Sequence, residues 1–402
     1  MTVDKLKNLT LLITDGKHGD CENADNSGYY FVSCKDVHDG IIDYSDARQI
    51  TEQDFADTHR RTQLQPDDIL VTNSGTIGRM ALVKDAPETA RTTFQKSVAI
   101  VKPDTKKIIP AYLYYCLLNR VTDFVNNSNG SAQKNLLLGT MRDFSIQYYE
   151  EVEKQETVVS IIKPYDDLIE INQRQIKLLE EAAQRLYKEW FVDLHFPGHE
   201  NVPVVDGVPE GWFACTLDDV IEFNPKVSLT KERIKQSIPM SALNTQLMVL
   251  DSREFIKTTS TSGSKFQNGD TLLARITPCL ENGKTGFVCG LESDEGAIGS
   301  TEFIVMRSRK LNPYMVYLLS RTDDFRKTAI NSMTGSDGRQ RAQPDKIRTY
   351  PFLLPPQSII DSFGDIVMHL FKDIQIRNRQ NIQLSEARDR LLPKLMSGEI
   401  AV

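Results

Sequence analysis

Two clusters of polar side chains, at an offset of about 202–206 residues, carry most of the chemistry this 402-residue chain can offer. The first comprises Asn73, Ser74, Arg79, Gln133, Lys134 and Asn135. The second comprises Arg275, Asn282, Lys284, Arg339, Gln340 and Arg341. Arg, Asn and Gln present paired hydrogen-bonding groups that match base edges, and Lys and Arg supply charge for phosphates. The same residue types at equivalent places in two halves point to recognition of a polyanion rather than to bond making.

Catalytic patterns are missing. Pro278-Cys-Leu-Glu-Asn-Gly-Lys-Thr ends like a phosphate-binding loop, but Pro278 stands where the first glycine belongs. Asn224-Pro225-Lys226 and Leu354-Pro355-Pro356-Gln357 both fail the Asn/Asp-Pro-Pro-aromatic pattern that grips a flipped base. No GxSxG elbow, HExxH helix or metal-nuclease signature occurs. His195 and His199 are four apart, yet Pro197 and Gly198 between them prevent the helix that metal ligation at this spacing wants. Six scattered cysteines contain no CxxC pair, so neither a zinc knuckle nor a disulfide framework is expected, and no metal site is assigned.

The elements that must position the two clusters are legible as an internal repeat. Gln65-Pro-Asp-Asp-Ile-Leu-Val-Thr parallels Gln267-Asn-Gly-Asp-Thr-Leu-Leu-Ala, and Gly75-Thr-Ile-Gly-Arg with Ala81-Leu-Val parallels Asn282-Gly-Lys-Thr-Gly-Phe-Val. Ile109-Pro-Ala-Tyr-Leu parallels Leu311-Asn-Pro-Tyr-Met, Gly130-Ser-Ala-Gln-Lys parallels Gly335-Ser-Asp-Gly-Arg, and Met141-Arg-Asp-Phe parallels Ile347-Arg-Thr-Tyr. Strands are expected at Asp68–Thr72, Val98–Val101, Thr271–Ala274 and Phe303–Met306, with short aromatic helices at Tyr112–Leu118 and Tyr314–Leu319. Glycines 75, 78, 130 and 335 are expected to serve turns.

Each half ends in a long helical stretch, about Gln155–Phe191 and Ser358–Met396. Val158, Ile162, Tyr165, Ile169, Asn172, Ile176, Leu179, Ala183, Leu186 and Trp190 recur at spacings of four and three. Phe363, Val367, Leu370, Ile374, Arg377, Asn381, Leu384, Arg388, Leu391 and Leu395 keep the same register. The polar seam residues Asn172, Arg377, Asn381 and Arg388 fit register setting in a coiled coil. Val158 to Trp190 would span about 50 Å as helix. Pro164 is expected to kink the first helix or mark a later start, and Pro393 to fray the second. The seam residues Ile169, Ile176, Leu179, Leu186, Leu370, Ile374, Leu384 and Leu391 would serve packing of the two helices on each other, docking of a partner, or both, with Trp190 and Phe191 facing outward toward a partner. Inserting four residues in one helix would lengthen it by about 6 Å.

Net charge is −7, which by itself disfavours a nucleic-acid partner. Much of the acid is local: Glu150–Glu181 holds nine acids and four bases, whereas Gly335–Tyr350 holds four bases and two acids. An acidic rod carrying basic lobes reconciles the two. No apolar run reaches the roughly 18–20 residues that span a bilayer, and the N-terminus lacks a signal-peptide layout, so a cytoplasmic protein with no membrane contact is expected.

Together the duplicated plan resembles the specificity subunit of type I restriction–modification systems. The resemblance rests on Asp68-Ile-Leu-Val-Thr-Asn-Ser-Gly-Thr-Ile-Gly-Arg, Leu186-Tyr-Lys-Glu-Trp-Phe-Val-Asp, Val208-Pro-Glu-Gly-Trp and Pro351-Phe-Leu-Leu-Pro-Pro-Gln. The first half departs from it, with no Pro-Glu-Gly-Trp opening and with Ser145-Ile-Gln-Tyr-Tyr-Glu-Glu in place of the double proline. The resemblance implies an α+β chain of two pseudo-repeated target-recognition domains separated by two long antiparallel coiled-coil helices: 1–150, a spacer helix 151–195, linker and second domain 196–356, and a spacer helix 357–402. It implies a non-catalytic reader of double-stranded DNA with a bipartite target, docked to two methyltransferase subunits and joined by restriction/translocase subunits. S-adenosylmethionine, ATP and magnesium would belong to those partners. Two other readings stay open at this point: a stand-alone DNA-modifying enzyme with diverged motifs, and a coiled-coil adaptor with no DNA role.

Overall fold

The computed structural model describes residues 1–38, 40–128, 135–293, 295–336 and 338–402. The chain divides into two compact units, Met1–Ile169 with Gln383–Val402, and Glu170–Ile382.

In the N-terminal unit a four-stranded antiparallel sheet runs in the order Thr10–Asp15, Val98–Pro103, Ile69–Thr72, Met80–Leu82. Ile69–Thr72 is buried at every position, which its unbroken Ile-Leu-Val-Thr run allows. Beside it, Tyr30–Val32 pairs with Arg48–Gln49 and lies parallel to Thr92–Phe94. Thr2–Lys5 closes the unit against Ser145–Tyr148. The helix Pro110–Leu118 begins on proline, whose missing N–H costs nothing there, and buries Tyr112, Leu113 and Leu117 completely.

The C-terminal unit repeats this plan. Its sheet runs Ile221–Phe223, Phe303–Ser308, Thr271–Ala274, Thr285–Phe287, all antiparallel. Lys235–Ile238 lies parallel to Ala297–Gly299 in a second sheet, and Phe213–Thr216 pairs with Pro351–Leu354. The shared Gln-x-x-Asp motif now has a cause. The Gln65 N–H donates to Asp68 Oδ2 and the Gln267 N–H to Asp270 Oδ2, each at 2.8 Å, turning the chain into its central strand. Each aspartate is then paired with a cation from the neighbouring strand, Lys102 for Asp68 and Arg307 for Asp270. Arg142 and Arg348 likewise both donate to a carbonyl near the end of the first sheet strand of their unit, Ile13 and Phe223.

The long helices run Val152–Tyr187 and Gln357–Ser397. Pro164 neither starts nor ends the first, and the second continues past Pro393 to bury Leu395 and Met396. Both prolines lie on the solvent side, where the carbonyls four residues earlier, on exposed Ser160 and Asp389, are open to water. Each helix contributes one stretch to each unit, so 151–195 and 357–402 are not free-standing spacers. Val158 and Ile162 join Leu392, Leu395 and Met396 in the N-terminal core. Ile176, Ala183 and Trp190 join Phe363, Val367 and Ile374 in the C-terminal core.

Within the C-terminal unit the helices pair antiparallel. Asn172 Nδ2 donates to Asn381 Oδ1 at 3.0 Å and Arg377 Nη1 to Asn172 Oδ1 at 3.3 Å, while Trp190 stacks at 5.5 Å on Phe363. In the N-terminal unit Arg388 pairs with Asp166 at 2.7 Å, and the Tyr115 hydroxyl donates to the same carboxylate at 2.8 Å. Of the polar seam positions, Asn172 therefore bonds to both Asn381 and Arg377 across the pair, in keeping with register setting, while Arg388 is held by Asp166. Ile169 and Ile374 are buried, and Leu179, Leu186, Leu370, Leu384 and Leu391 are partly buried.

After a π turn at Lys188–Val192 the chain enters the segment expected as a linker, which forms a 3-10 turn and the hairpin Val204–Val205/Val208–Pro209. Phe196 is buried there against Trp212, 5.2 Å between rings. Among the described residues no helix is long and apolar enough to cross a membrane, and no group of three or more His, Cys, Asp or Glu side chains could hold a metal ion.

Candidate nucleic-acid interface

The two polar clusters sit at the same end of the same strand in their respective sheets. In the C-terminal unit Thr271–Ala274 runs out into Arg275. The Arg275 N–H donates to the Glu302 carbonyl at 2.9 Å, and its own carbonyl accepts from the Ala342 N–H at 2.8 Å. In the N-terminal unit Ile69–Thr72 runs out into Asn73, which donates to the Ser97 carbonyl at 3.0 Å and accepts from the Leu136 N–H at 2.8 Å. The next residue of each unit bridges to the second loop, Ile276 to Arg341 and Ser74 to Asn135. Arg79 and Lys284 also correspond, their carbonyls accepting from Thr72 and Ala274. Sequence offset and hydrogen-bond topology thus define one equivalence: Asn73 with Arg275, Ser97 with Glu302, Asn135 with Arg341.

The C-terminal site is a groove of about 530 Å³ lined by Lys226, Ser264, Lys265, Arg275 and Thr301, among others. Gln340 lies beside it, its carbonyl held by the Thr277 N–H at 3.1 Å, and Arg339 is exposed on the same loop. Arg341 lays its guanidinium on the Glu302 carboxylate, Nη2 at 2.7 Å and Nε at 2.9 Å. That hydrogen bond, with charge from Arg341 and Arg275, holds the Glu302 carboxyl below the ordinary glutamate range, so it is ionised at neutral pH. Arg275 Nε is buried with no hydrogen-bond partner among the described residues.

The N-terminal site is less cationic. Asn73 is 4% exposed and its carboxamide oxygen is buried without a partner among the described residues, while Arg79 and Asn135 are exposed and Ser74 is half-buried. Lys17, next to the sheet end, is tied to Asp54 at 2.8 Å. The intervening turn needs its glycine at 78, where φ is +87° and a Cβ would fall 2.7 Å from Val121 Cγ1. Gln133, Lys134 and Gly130 lie outside the described residues.

Several expectations change. Lys284 is committed to the Met240 carbonyl at 3.0 Å and is no free phosphate ligand. Asn282 is exposed on the turn, its N–H donating to the Pro278 carbonyl. Trp190 and Phe191 do not face outward: the first is 6% exposed and the second packs on Phe363 at 4.8 Å, both rings lying against the C-terminal core. Arg341 is present in the site but charge-paired. Lys226, Lys265 and Glu302 were missed. Lys226 was legible as the cation just past a sheet strand, the place Lys17 holds in the other unit, whereas Glu302 carried no signal.

Residues 13–181 match the family model described as the type I restriction modification DNA specificity domain. Over that segment the chain is similar to type I restriction–modification specificity domains. Similar proteins include the MjaIX specificity subunit of Methanocaldococcus jannaschii, 27% identical over 352 residues, 83% of this chain and 78% of that one. The EcoEI specificity subunit of Escherichia coli is 25% identical over 295 residues, 69% of this chain and 48% of its own length. The fold is similar to the crystal structure of the S subunit from M. genitalium, with a TM-score of 0.54 at 13% identity, covering 98% of this chain and 95% of that one. The specificity domain matched in the first half is the architecture that the second half repeats, strand for strand around the sheet end described above.

Proposed function

We propose that this chain is the non-catalytic DNA-reading subunit of a type I restriction–modification complex, each unit reading one part of a bipartite, asymmetric target. The observation that carries the reading is the equivalence of the two sheet-end sites. The same backbone frame presents Asn73, Ser97 and Asn135 in one unit and Arg275, Glu302 and Arg341 in the other. One frame with different hydrogen-bonding side chains suits two unlike sequences. Lys226, Lys265 and Arg339 suit phosphates, which orient without specifying.

The partners in this proposal are double-stranded DNA, two methyltransferase subunits and restriction/translocase subunits, with S-adenosylmethionine, ATP and magnesium acting in those partners. The long helices are the proposed docking surface. In the C-terminal unit Ile171, Leu178, Ile366 and Ile376 are each about half exposed on them, which supports an apolar partner face outside the paired seam.

The test is reconstitution with the cognate methyltransferase subunit and sequencing of the modified adenines. The expected product is a complex with two methyltransferase copies that methylates a split target. Replacing the Thr10–Tyr148 lobe by that of another family member should change one half of the target and leave the other intact. A change in both halves, or methylation independent of this chain, refutes the reading.

A further inference from the structure

Arg341 and Glu302 form a fork whose geometry limits what the arginine can read. Glu302 takes one long edge of the guanidinium, with Nε at 2.9 and 3.0 Å from its two oxygens and Nη2 at 2.7 Å from Oε1. A planar guanidinium has five N–H donors. With the Nε/Nη2 edge occupied, the Nη1/Nη2 end remains, a pair of parallel donors with no protein partner among the described residues. The pair is only partly buried, with side-chain exposures of 43% for Arg341 and 24% for Glu302, so that end can reach solvent or a ligand.

The backbone on both sides is held. The Arg341 N–H and carbonyl both bond to Thr334, at 2.9 and 3.1 Å, and Glu302 is tied through its carbonyl to the Arg275 N–H. The arginine is therefore fixed at its backbone and at its side chain before any ligand arrives. Its charge is largely cancelled, which makes it a poor phosphate ligand but leaves its donor geometry intact. Two parallel donors at a fixed place match two adjacent acceptors, and among major-groove base edges O6 and N7 of guanine supply that pattern. The equivalent positions of the other unit, Ser97 and Asn135, hold no charge and no such fork.

We propose that Glu302 is a positioning residue that presents the end of Arg341 to a guanine in the part of the target read by the C-terminal unit. This rests on the DNA-reading function proposed above. Glu302 lowers affinity for DNA in general, because a carboxylate beside the groove repels phosphate, and it raises discrimination by denying Arg341 other poses.

The experiment uses the full chain with its methyltransferase partner. Targets are selected from a randomised duplex pool, and affinity for a random-sequence 40-base-pair duplex is measured across a salt series. Wild type should select a guanine at one position that Arg341→Ala loses, with roughly five- to 150-fold less preference there. Glu302→Gln should weaken the same preference and strengthen binding to the random duplex, with a steeper salt dependence. If Glu302→Gln weakens selected and random duplexes equally, the residue only maintains the fold. If it strengthens both equally, it only repels phosphate. Either result overturns the proposal, as does an Arg341→Ala variant that selects the wild-type target. A wild-type complex that selects no sequence overturns the DNA-reading function itself, an outcome distinct from the other three.

Discussion

Replacing Asp166 by alanine is the most direct probe of how the second long helix closes the N-terminal unit. The carboxylate accepts from Arg388 at 2.7 Å and from the Tyr115 hydroxyl at 2.8 Å, and Tyr115 is 3% exposed. Losing an acceptor for a buried hydroxyl costs about 1–3 kcal/mol. Breaking a buried ion pair costs about 3–5 kcal/mol, but Arg388 keeps Asp389 at 2.8 Å and is 20% exposed, which reduces that share to about 1–2 kcal/mol. The sum is about 2–5 kcal/mol, equivalent to roughly 30- to 4,000-fold faster amide exchange in the unit's core. Hydrogen exchange read by mass spectrometry over Ile69–Thr72 and Pro110–Leu118 measures it. Asp166→Asn keeps an acceptor for Tyr115 and should fall between wild type and alanine. Exchange within about threefold of wild type in Asp166→Ala, about 0.7 kcal/mol, would falsify the assignment of this contact as the latch.

Two further outcomes follow from other parts of the chain. Glu180 accepts from Tyr317 and from the Met248 N–H, yet its burial, the largest influence, raises its carboxyl pKa above the ordinary value of 4.5. An acid raised in the folded state favours folding at low pH and loses that contribution as pH climbs from about 4.5 through the raised value. The stability of Glu180→Gln relative to wild type should therefore grow over that window and then level. Urea unfolding followed by tryptophan fluorescence reads this unit alone, since both tryptophans, Trp190 and Trp212, lie in it; a pH-independent difference would sink the expectation. Lengthening the long helices tests the spacing role: seven residues added to both, after Ile169 and after Ile382, preserve the heptad and add about 10 Å, some three base pairs of target gap. Four residues in the first helix alone would carry Asn172 away from Asn381, so loss of assembly is expected there instead. Methylation mapping of the seven-residue variant decides, and an unchanged gap contradicts the spacer function.

The repeat was readable because the same backbone demands recur in both halves. Gln65/Asp68 and Gln267/Asp270 make the same turn, and the helices starting at Pro110 and Pro313 use the same proline entry. The seam was readable from spacing, including its polar members. Side-chain destinations were not. Glu180 counts as a solvent charge in the sequence, yet it is 2% exposed because Tyr317 and Met248 meet it from residues far along the chain. Trp190 continues the heptad and lies in the seam against Phe363, not outward toward a partner. Pro164 and Pro393 break helices by propensity and survive because their faces are wet. Glu302 becomes visible only when strand pairing brings a residue from Gly299-Ser-Thr-Glu beside one that follows it by 39 positions.

The last twenty residues belong to the first unit, and this has a consequence during synthesis. Leu392, Leu395 and Met396 fill the core built on Tyr112 and Phe144, so that core stays open until the ribosome has added these residues. At typical translation rates the segment ending at Ile169 waits roughly 10–40 s for Gln383 and beyond. The unit spanning Glu170–Ile382 is continuous in sequence and can complete its core before release. Maturation therefore runs against the order of translation, and the nascent N-terminal lobe, with an apolar cleft awaiting its final helix turn, is the species a chaperone would meet.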